Sequence, residues 1–412
     1  MDALAEKQQK RQDKLADFSW PVLISNFFSV FGEGVYRFGL NWFIVSTYGD
    51  ARLLGWLTAF GFIVYLANDM YVGAVLDRFD RKKVLVTADL FGGIGLLILS
   101  LFLNPESPQL YILFALTFIM NVDISYAYPA GRAVLPDVIK TRSIPRFNAF
   151  VSAAFSTGQA VGPLVGGFLL HLNWINLQSF MILYGLMVIT TAGFNMAIKA
   201  FPEEKPDKKP EPFIESLVDG YRYVARKPKL FESMLLTVWG NFCFEGFIIS
   251  MPFLIQKVYG GTSGDYSTAL TVAAISGIVA GLILAHKPEW NKLRTLYLDF
   301  YVLGAIFMLA AFVNTLWALV IVIIVNGLIR SSFVIKINTV RQEDSAPEYL
   351  GRVFGISFFA TDLFVPVITI TFGYAISAVG SWILLILGIM LLGGFAFIRM
   401  YCRHREAKLG LQ

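Results

Sequence analysis

The sequence predicts an all-α membrane protein: twelve transmembrane helices in two six-helix bundles, with both termini in the cytoplasm. Three observations carry this. The 412-residue chain is 56% hydrophobic and 15% charged, with 37 Phe and a mean hydropathy of +0.62, whereas soluble domains are roughly 45–50% apolar and about 25% charged. Its apolar residues gather in runs of about 20, the length that crosses a bilayer as a helix. Finally, thirty of the 34 Lys and Arg lie in alternate loops and the two tails, the asymmetry that orients membrane proteins.

The runs fall near 19–47, 53–76, 84–103, 110–130, 147–170, 176–198, 230–256, 266–285, 296–312, 316–335, 353–376 and 380–398. They are too long and unbroken for the alternating strands of an outer-membrane barrel. Residues 1–18 are polar and charged, so no cleavable signal peptide is expected and the first span serves as the insertion signal. Basic residues cluster in 1–18, 77–83, 131–146, 199–229, 286–295, 336–352 and 399–412. The opposite loops hold only Arg52 and Lys257, and Arg37 and Arg330 lie inside spans. The net charge of +5 therefore reads as a topology signal, and no nucleic-acid partner is expected.

The expected organisation follows: a cytoplasmic segment 1–18, a six-helix bundle 19–198, a cytoplasmic linker 199–229, a second bundle 230–399 and a tail 400–412. The linker begins Pro- and charge-rich, as a tether does. It ends with Phe213, Ile214, Leu217, Val218, Tyr221, Val224 and Ala225 at helical spacing, which predicts a helix on the inner membrane surface or a regulatory segment. The halves carry similar marks: Asn121 and Asn326, Arg146 and Arg352, Asp89 and Asp299, and the phrases NFFSVFGEG and NFCFEGF. Paired halves are how many secondary transporters build a midplane site.

Two motifs carry a resemblance. Residues 73–83, GAVLDRFDRKK, resemble the loop signature of the major facilitator superfamily through Gly73, Asp77, Arg78, Arg81 and Lys82, with Asp80 in place of a second Gly. The span-5 run GQAVGPLVGG places Gly158, Gly162, Pro163, Gly166 and Gly167 in a pattern similar to that of the superfamily's antiporters. Small residues four apart let helices approach closely, and Pro163 can kink its helix, so this span reads as a gate or as ordinary close packing. LPDVIKTRSIPRFNAF, GYRYVARKPKL and PEYLGRVFGI resemble the branch of macrolide-efflux pumps and siderophore exporters. The resemblance implies the major facilitator fold, a cavity lined by spans 1, 4, 7 and 10, and a cytoplasmic latch of Asp and Arg that holds the outward-facing state. The second-half stretch from Gly281 has Ala285 where the latch Asp would stand, so the latch is one-sided.

An ionisable group within a span costs roughly 2.5–3.5 kcal/mol on insertion scales, and it usually faces a partner or a watery cavity. Glu33, Arg37, Asp123, Glu245, Arg330 and Asp362 are the candidates for proton coupling, with structural pairing, for example Asp123 with Arg330, as the other reading. Glu33 leads, because Arg37 lies one turn away and Gly32 and Gly34 flank it. Asp69 reads as latch support, and Asp89 and Asp299 as caps at span ends. Asn26, Phe31, Asn41, Trp239 and Asn241 are candidates to line the substrate cavity. The aromatic supply, which includes Phe244 and Phe247, faces either that cavity or lipid. Many drug antiporters of the resembled family carry an Arg near the position of Met120, which this chain lacks, so Arg37 or Arg330 would take its place.

The function these readings imply is secondary export of amphipathic small molecules in exchange for protons by alternating access. Export of a metallophore or other polar metabolite, or lysolipid translocation, is the alternative. No nucleophile–base pair, phosphate loop or Cys/His cluster points to an enzyme, cofactor or metal, and Cys243 and Cys402 do not suggest a disulfide. Expected partners are a small-molecule substrate, protons and the bilayer of a bacterial cytoplasmic membrane. A monomer is expected from the resemblance.

Overall fold

The computed structural model describes residues 13–171, 175–201, 213–287, 290, 293–346 and 349–408. Most of the charge-rich tether, 202–212, lies outside the described residues, as do 1–12 of the first segment and 409–412 of the tail. The first half contains α1 (Trp20–Tyr48), α2 (Arg52–Arg78), α3 (Arg81–Leu101), α4 (Leu110–Ala133), α5 (Ile144–His171) and α6 (Leu177–Met196). After the linker come α7 (Phe213–Arg226), α8 (Pro228–Phe253), α9 (Ser263–His286), α10 (Leu293–Val313), α11 (Leu316–Asp344), α12 (Leu350–Val379) and α13 (Ile383–Lys408). A single turn, Leu135–Val138, joins α4 to α5, and a π-helical turn, Leu254–Val258, extends α8.

Apart from the amphipathic α7, each of these helices coincides with a predicted run. Among the described residues, ten segments are long and apolar enough to cross a membrane. One of them, Leu350–Ala407, holds both α12 and α13, while α1, with Asn26, Glu33, Arg37 and Asn41 in it, is not among them. The chain is therefore a multi-pass membrane protein. Two boundaries differ with consequence: α13 continues to Lys408, past the run's expected end at 398 and into the expected tail 400–412, and α11 also outruns its span. The tenth run was expected to end at 335, but α11 continues to Asp344, so Lys336 and Arg341 are helical and buried and do not belong to a loop.

By internal contacts the chain forms two compact units, Met1–Phe43 with Phe60–Pro210, and Ile44–Ala59 with Glu211–Gln412. In the first, α3 packs against α4 and α6. Glycine makes this possible: a Cβ on Gly93 would lie 3.1 Å from the Gly185 carbonyl oxygen, and one on Gly185 would lie 3.2 Å from that of Gly93. The second unit repeats the device between α10 and α13, where a Cβ on Gly304 would meet the Gly388 oxygen at 3.1 Å and one on Gly388 the Gly304 oxygen at 2.8 Å. Backbones this close gain dispersion contact along their whole length, the main force between helices in lipid.

The second unit also contains the turn between α1 and α2. Gly49 takes φ +67 there, a conformation that side chains disfavour. Asp50 beyond it accepts a hydrogen bond from Ser377 Oγ of α12 at 2.6 Å and one from the Arg52 backbone N–H at 2.8 Å. Burial pushes the Asp50 carboxyl up, but these bonds and the Arg52 charge outweigh burial and hold it below the usual range. A Cβ on Gly55 would lie 2.5 Å from the Thr369 oxygen, so α2 begins pressed against α12.

The amphipathic linker segment forms α7 as expected. It packs on α12: Arg352 donates to Asp219, and the Tyr223 and Tyr349 rings stack with centroids 4.1 Å apart.

Gly327 tests the packing rule. A Cβ there would lie 2.5 Å from the Ala273 carbonyl oxygen and 2.9 Å from Ser276 Cβ, so α9 and α11 would have to separate. Gly327→Val is expected to cost about 1–3 kcal/mol, read as a lower unfolding midpoint in detergent. Gly393→Ala, with nothing within 4 Å of the added carbon, is expected to leave the midpoint near wild type.

Candidate functional site

Each unit contains one carboxylate–guanidinium pair on the predicted cavity spans. In the first, Arg37 Nε donates to Glu33 Oε1 at 2.6 Å along α1, with the Arg37 side chain half exposed. The four-residue spacing brings the groups onto one helix face. In the second, Arg330 Nη2 of α11 donates to Glu245 Oε1 of α8 at 2.8 Å, both partly exposed. Arg330 thus pairs with Glu245, which corrects the Asp123–Arg330 pairing. Asp362 is half-buried on α12.

Helix α5 presses on α1 next to Glu33. A Cβ on Gly162 would lie 2.8 Å from the Phe31 carbonyl oxygen, one on Gly158 3.1 Å from the Phe31 nitrogen, and one on Gly34 3.3 Å from Pro163 Cδ. Farther along, a Cβ on Gly166 would lie 2.8 Å from the Phe38 ring, and Gly167 is buried. The glycines of the resembled antiporter motif therefore form the surface against which the Glu33 turn rests, and a shift of α5 would move that turn.

The other predicted lining residues have varied surroundings. Asn26 and Asn241 each donate to a carbonyl one turn back, Val22 at 2.8 Å and Thr237 at 2.9 Å. Phe31 stacks on Phe27 with centroids 5.6 Å apart, and Asn41 is half-buried. Trp239 is taken up by helix packing: its Nε1 donates to the Met390 carbonyl at 3.0 Å, and its indole covers Gly394. Phe244 and Phe247 are fully buried and pack on Phe300 and Phe307. They belong to the core of the second unit and face neither cavity nor lipid.

Around the loop motif, Asp80 has a clear local role. Its side chain accepts the Lys83 backbone N–H at 3.0 Å and caps α3, which accounts for the Asp where the resembled signature has Gly. Arg81 donates to the Ala133 carbonyl at 3.0 Å and to Asp137 Oδ2 at 3.1 Å, tying α3 to the turn after α4. Gly73, Asp77 and Arg78 are exposed and Lys82 is half-buried. The preceding segment joins the same loop: Ala16 and Ile139 form a short parallel bridge, and Asp17 accepts from Lys140 at 2.9 Å and Ser143 at 2.7 Å. Hydrogen bonds from Lys140 and Ser143 pull the Asp17 carboxyl down to about 2. Because this value is depressed in the folded state, the tie is fully present above pH 3.8 and lost as pH falls through about 2.

Several polar residues are placed otherwise than the sequence predicts. Asp89 is no cap. It lies two turns inside α3, is 3% exposed, and accepts from Asn195 Nδ2 of α6 at 2.7 Å. Asp299 is no cap either: Lys336 Nζ lies 2.6 Å from its Oδ2, and Ser332 Oγ donates to it at 3.1 Å. The signal for Lys336 was its setting within the apolar run FVIKI. Asp123 is 4% exposed against Gly92, and its Oδ1 has no hydrogen-bond partner. Asp137, with Pro136 and Leu135 before it, was legible only as part of a resembled string.

This is an all-helical bundle with glycine seams and charge pairs on its predicted cavity helices, and the comparisons agree with it. The chain belongs to the Major Facilitator Superfamily, whose profile matches residues 22–365. It is similar to the staphyloferrin A transporter of Staphylococcus aureus, 22% identical over 70% of this chain and 72% of that one. It is also similar to macrolide efflux protein A of Streptococcus pyogenes, 21% identical over 82% and 84%. Among solved structures, a bacterial homologue of the human lysosomal transporter Spinster, in an inward-facing and unoccupied conformation, superposes with a TM-score of 0.73 at 13% identity, covering 93% of this chain and 96% of that one. The protein is therefore a transporter of this superfamily, with macrolide-efflux and siderophore-transporter relatives.

The Arg81–Asp137 bond is open to a double-mutant cycle. Arg81→Ala and Asp137→Asn are each expected to cost about 1–3 kcal/mol, the first because the buried carboxylate loses a charged donor and the second because Arg81 loses a charged acceptor. The double variant is expected to cost clearly less than the sum. Additive losses in unfolding midpoint would show that the contact contributes nothing.

Proposed function

We propose that the protein exports amphipathic small molecules across a bacterial cytoplasmic membrane in exchange for protons, with twelve crossings and both termini inside. The observation that carries this is the Glu33–Arg37 pair, partly open and set on the turn of α1 against which the Gly158, Gly162 and Pro163 surface of α5 rests. A carboxylate in a low-dielectric site and beside a guanidinium has two opposed influences on its proton: burial favours uptake and the cation favours release. Movement of α5 against α1 would alter the balance between them, and a proton would be taken up on one side and released on the other. Glu245 and Arg330 supply the matching pair in the second unit, with Asp123 and Asp362 as further acids. Asn26, Phe31, Asn41 and Asn241 are the lining candidates for cargo. The loop from Gly73 to Lys82 acts as the conformational latch, with Arg81 anchored through Asp137. The acidic excess among the intramembrane charges favours cationic or zwitterionic cargo. The macrolide-efflux relatives support the same reading.

A second reading, export of an anionic metallophore, is favoured by the half-exposed Arg37 guanidinium and by the staphyloferrin A relative. An export screen with macrolides, dyes and siderophores in cells lacking their own pumps separates the two.

Glu33→Gln is expected to abolish concentrative export driven by a pH gradient while downhill cargo exchange persists in part. Concentration of cargo at the wild-type rate in that variant would place the coupling proton elsewhere and leave Glu33 as a structural partner of Arg37. Asp77→Asn is expected to shift the protein away from outward-facing states, because it removes a charge that the latch uses in one state only. Accessibility labelling at equal expression reads that shift, and unchanged labelling with unchanged transport would discard the latch.

A further inference from the structure

The first unit contains a second acidic centre, separate from the Glu33–Arg37 pair. Asp89 of α3 is 3% exposed, Asp123 of α4 is 4% exposed, and Asn195 of α6 is 2% exposed. Asn195 Nδ2 donates to Asp89 Oδ2 at 2.7 Å. The Asp123 carboxyl lies against α3 one turn from Asp89: a Cβ on Gly92 would fall 2.6 Å from Asp123 Cγ and 3.0 Å from its Oδ2. Residues three apart share a helix face, so both acids occupy one seam. Two oxygens in it, Asp123 Oδ1 and Asn195 Oδ1, are buried without a hydrogen-bond partner.

No ion pair to Asp89 or Asp123 occurs among the described residues. The charged and titratable groups facing Asp123 from the packed helices are Asp89 and, on α1, Glu33, with Tyr184 on α6. Tyr36 of α1 lies against Tyr184, with ring centroids 4.9 Å apart, and Arg37 is held by Glu33. The second unit provides the contrast. There the ninth-span acid, Asp299, has the Lys336 ammonium at 2.6 Å. The third-span acid, Asp89, has a neutral amide and another acid instead.

Each uncompensated charge buried in an apolar bundle costs several kcal/mol, so two carboxylates without a cation do not both stay ionised. A proton on one of them removes a charge and turns an acceptor-only group into a donor, which the two unpartnered oxygens lack. The amide N–H favours the charged form of Asp89, which leaves Asp123 to carry the proton.

We propose that Asp89 and Asp123 form a one-proton site inside the first unit, filled at neutral pH, with Asn195 holding the ionised acid. This deepens the reading that counts Asp123 among the further acids, and it does not depend on the coupling role given to Glu33.

Infrared spectroscopy of the purified full chain in lipid nanodiscs tests the site directly. At neutral pH the wild type is expected to show a protonated-carboxyl band that shifts when aspartate carboxyls carry heavy carbon. The band should be lost in Asp123→Asn and retained in Glu33→Gln. Absence of an aspartate band in the wild type would overturn the proposal, and this needs no variant to fold. An aspartate band unchanged in a folded Asp123→Asn would also overturn it, as would a sodium-dependent rise in the wild-type unfolding midpoint that Asp123→Asn abolishes. Loss of the band in Glu33→Gln would merge the two centres and remove the separate site. Failure of the coupling test on Glu33 would leave this result untouched.

Discussion

A charge inside an apolar bundle must be compensated, and that constraint orders most of what is distinctive here. Along the long helices several charges lie beside a neutralising partner, and the Asp89–Asp123 seam, with no ion pair among the described residues, is the exception. Glu33 has Arg37, Glu245 has Arg330, and Asp299 has Lys336. The Glu33–Arg37 and Glu245–Arg330 pairs remain partly exposed. The Lys336 side chain, bonded to Asp299, is by contrast 3% exposed. The difference lies in the cations: the Arg37 and Arg330 guanidiniums are partly exposed and the Lys336 ammonium is buried.

The second constraint is close approach. Two helices can slide or rock against each other only where their surfaces are smooth, and glycine supplies the smoothness. In the first unit the α3–α6 seam at Gly93 and Gly185 and the α1–α5 seam at Gly34 and Gly162 both bring backbone against backbone. The α1–α5 seam lies beside Glu33, so the packing that stabilises the unit also positions the acid of its Glu33–Arg37 pair. The α10–α13 seam at Gly304 and Gly388 repeats the α3–α6 geometry, which gives the expected duplication of the halves a physical counterpart.

Much of this was legible in the sequence, for particular reasons. Apolar runs announce helices because lipid demands that every backbone polar group be satisfied within its own segment, and those helices match the runs closely. Glu33 and Arg37 were legible as a pair because their spacing is local. Glu245 with Arg330, Asp299 with Lys336, and Asp89 with Asn195 are contacts between helices, and spacing along the chain carries no information about them. Lys336 falls at the polar edge of its run, where hydropathy predicts a loop, whereas its pairing with Asp299 lets the helix continue to Asp344. Trp239, Phe244 and Phe247 show the same limit for aromatics: their residue type suits cavity, lipid and core alike, and only packing against Gly394, Phe300 and Phe307 decides.

The central claim is that the intramembrane acids link cargo movement to proton movement. The direct measurement is proton flux across liposomes that contain the purified protein, followed with an internal pH indicator as an amphipathic cargo is added under its own gradient. The account predicts a proton flux opposite in direction to the cargo, absent from empty liposomes and scaling with cargo concentration. Cargo crossing at an undiminished rate with no accompanying proton movement would contradict it.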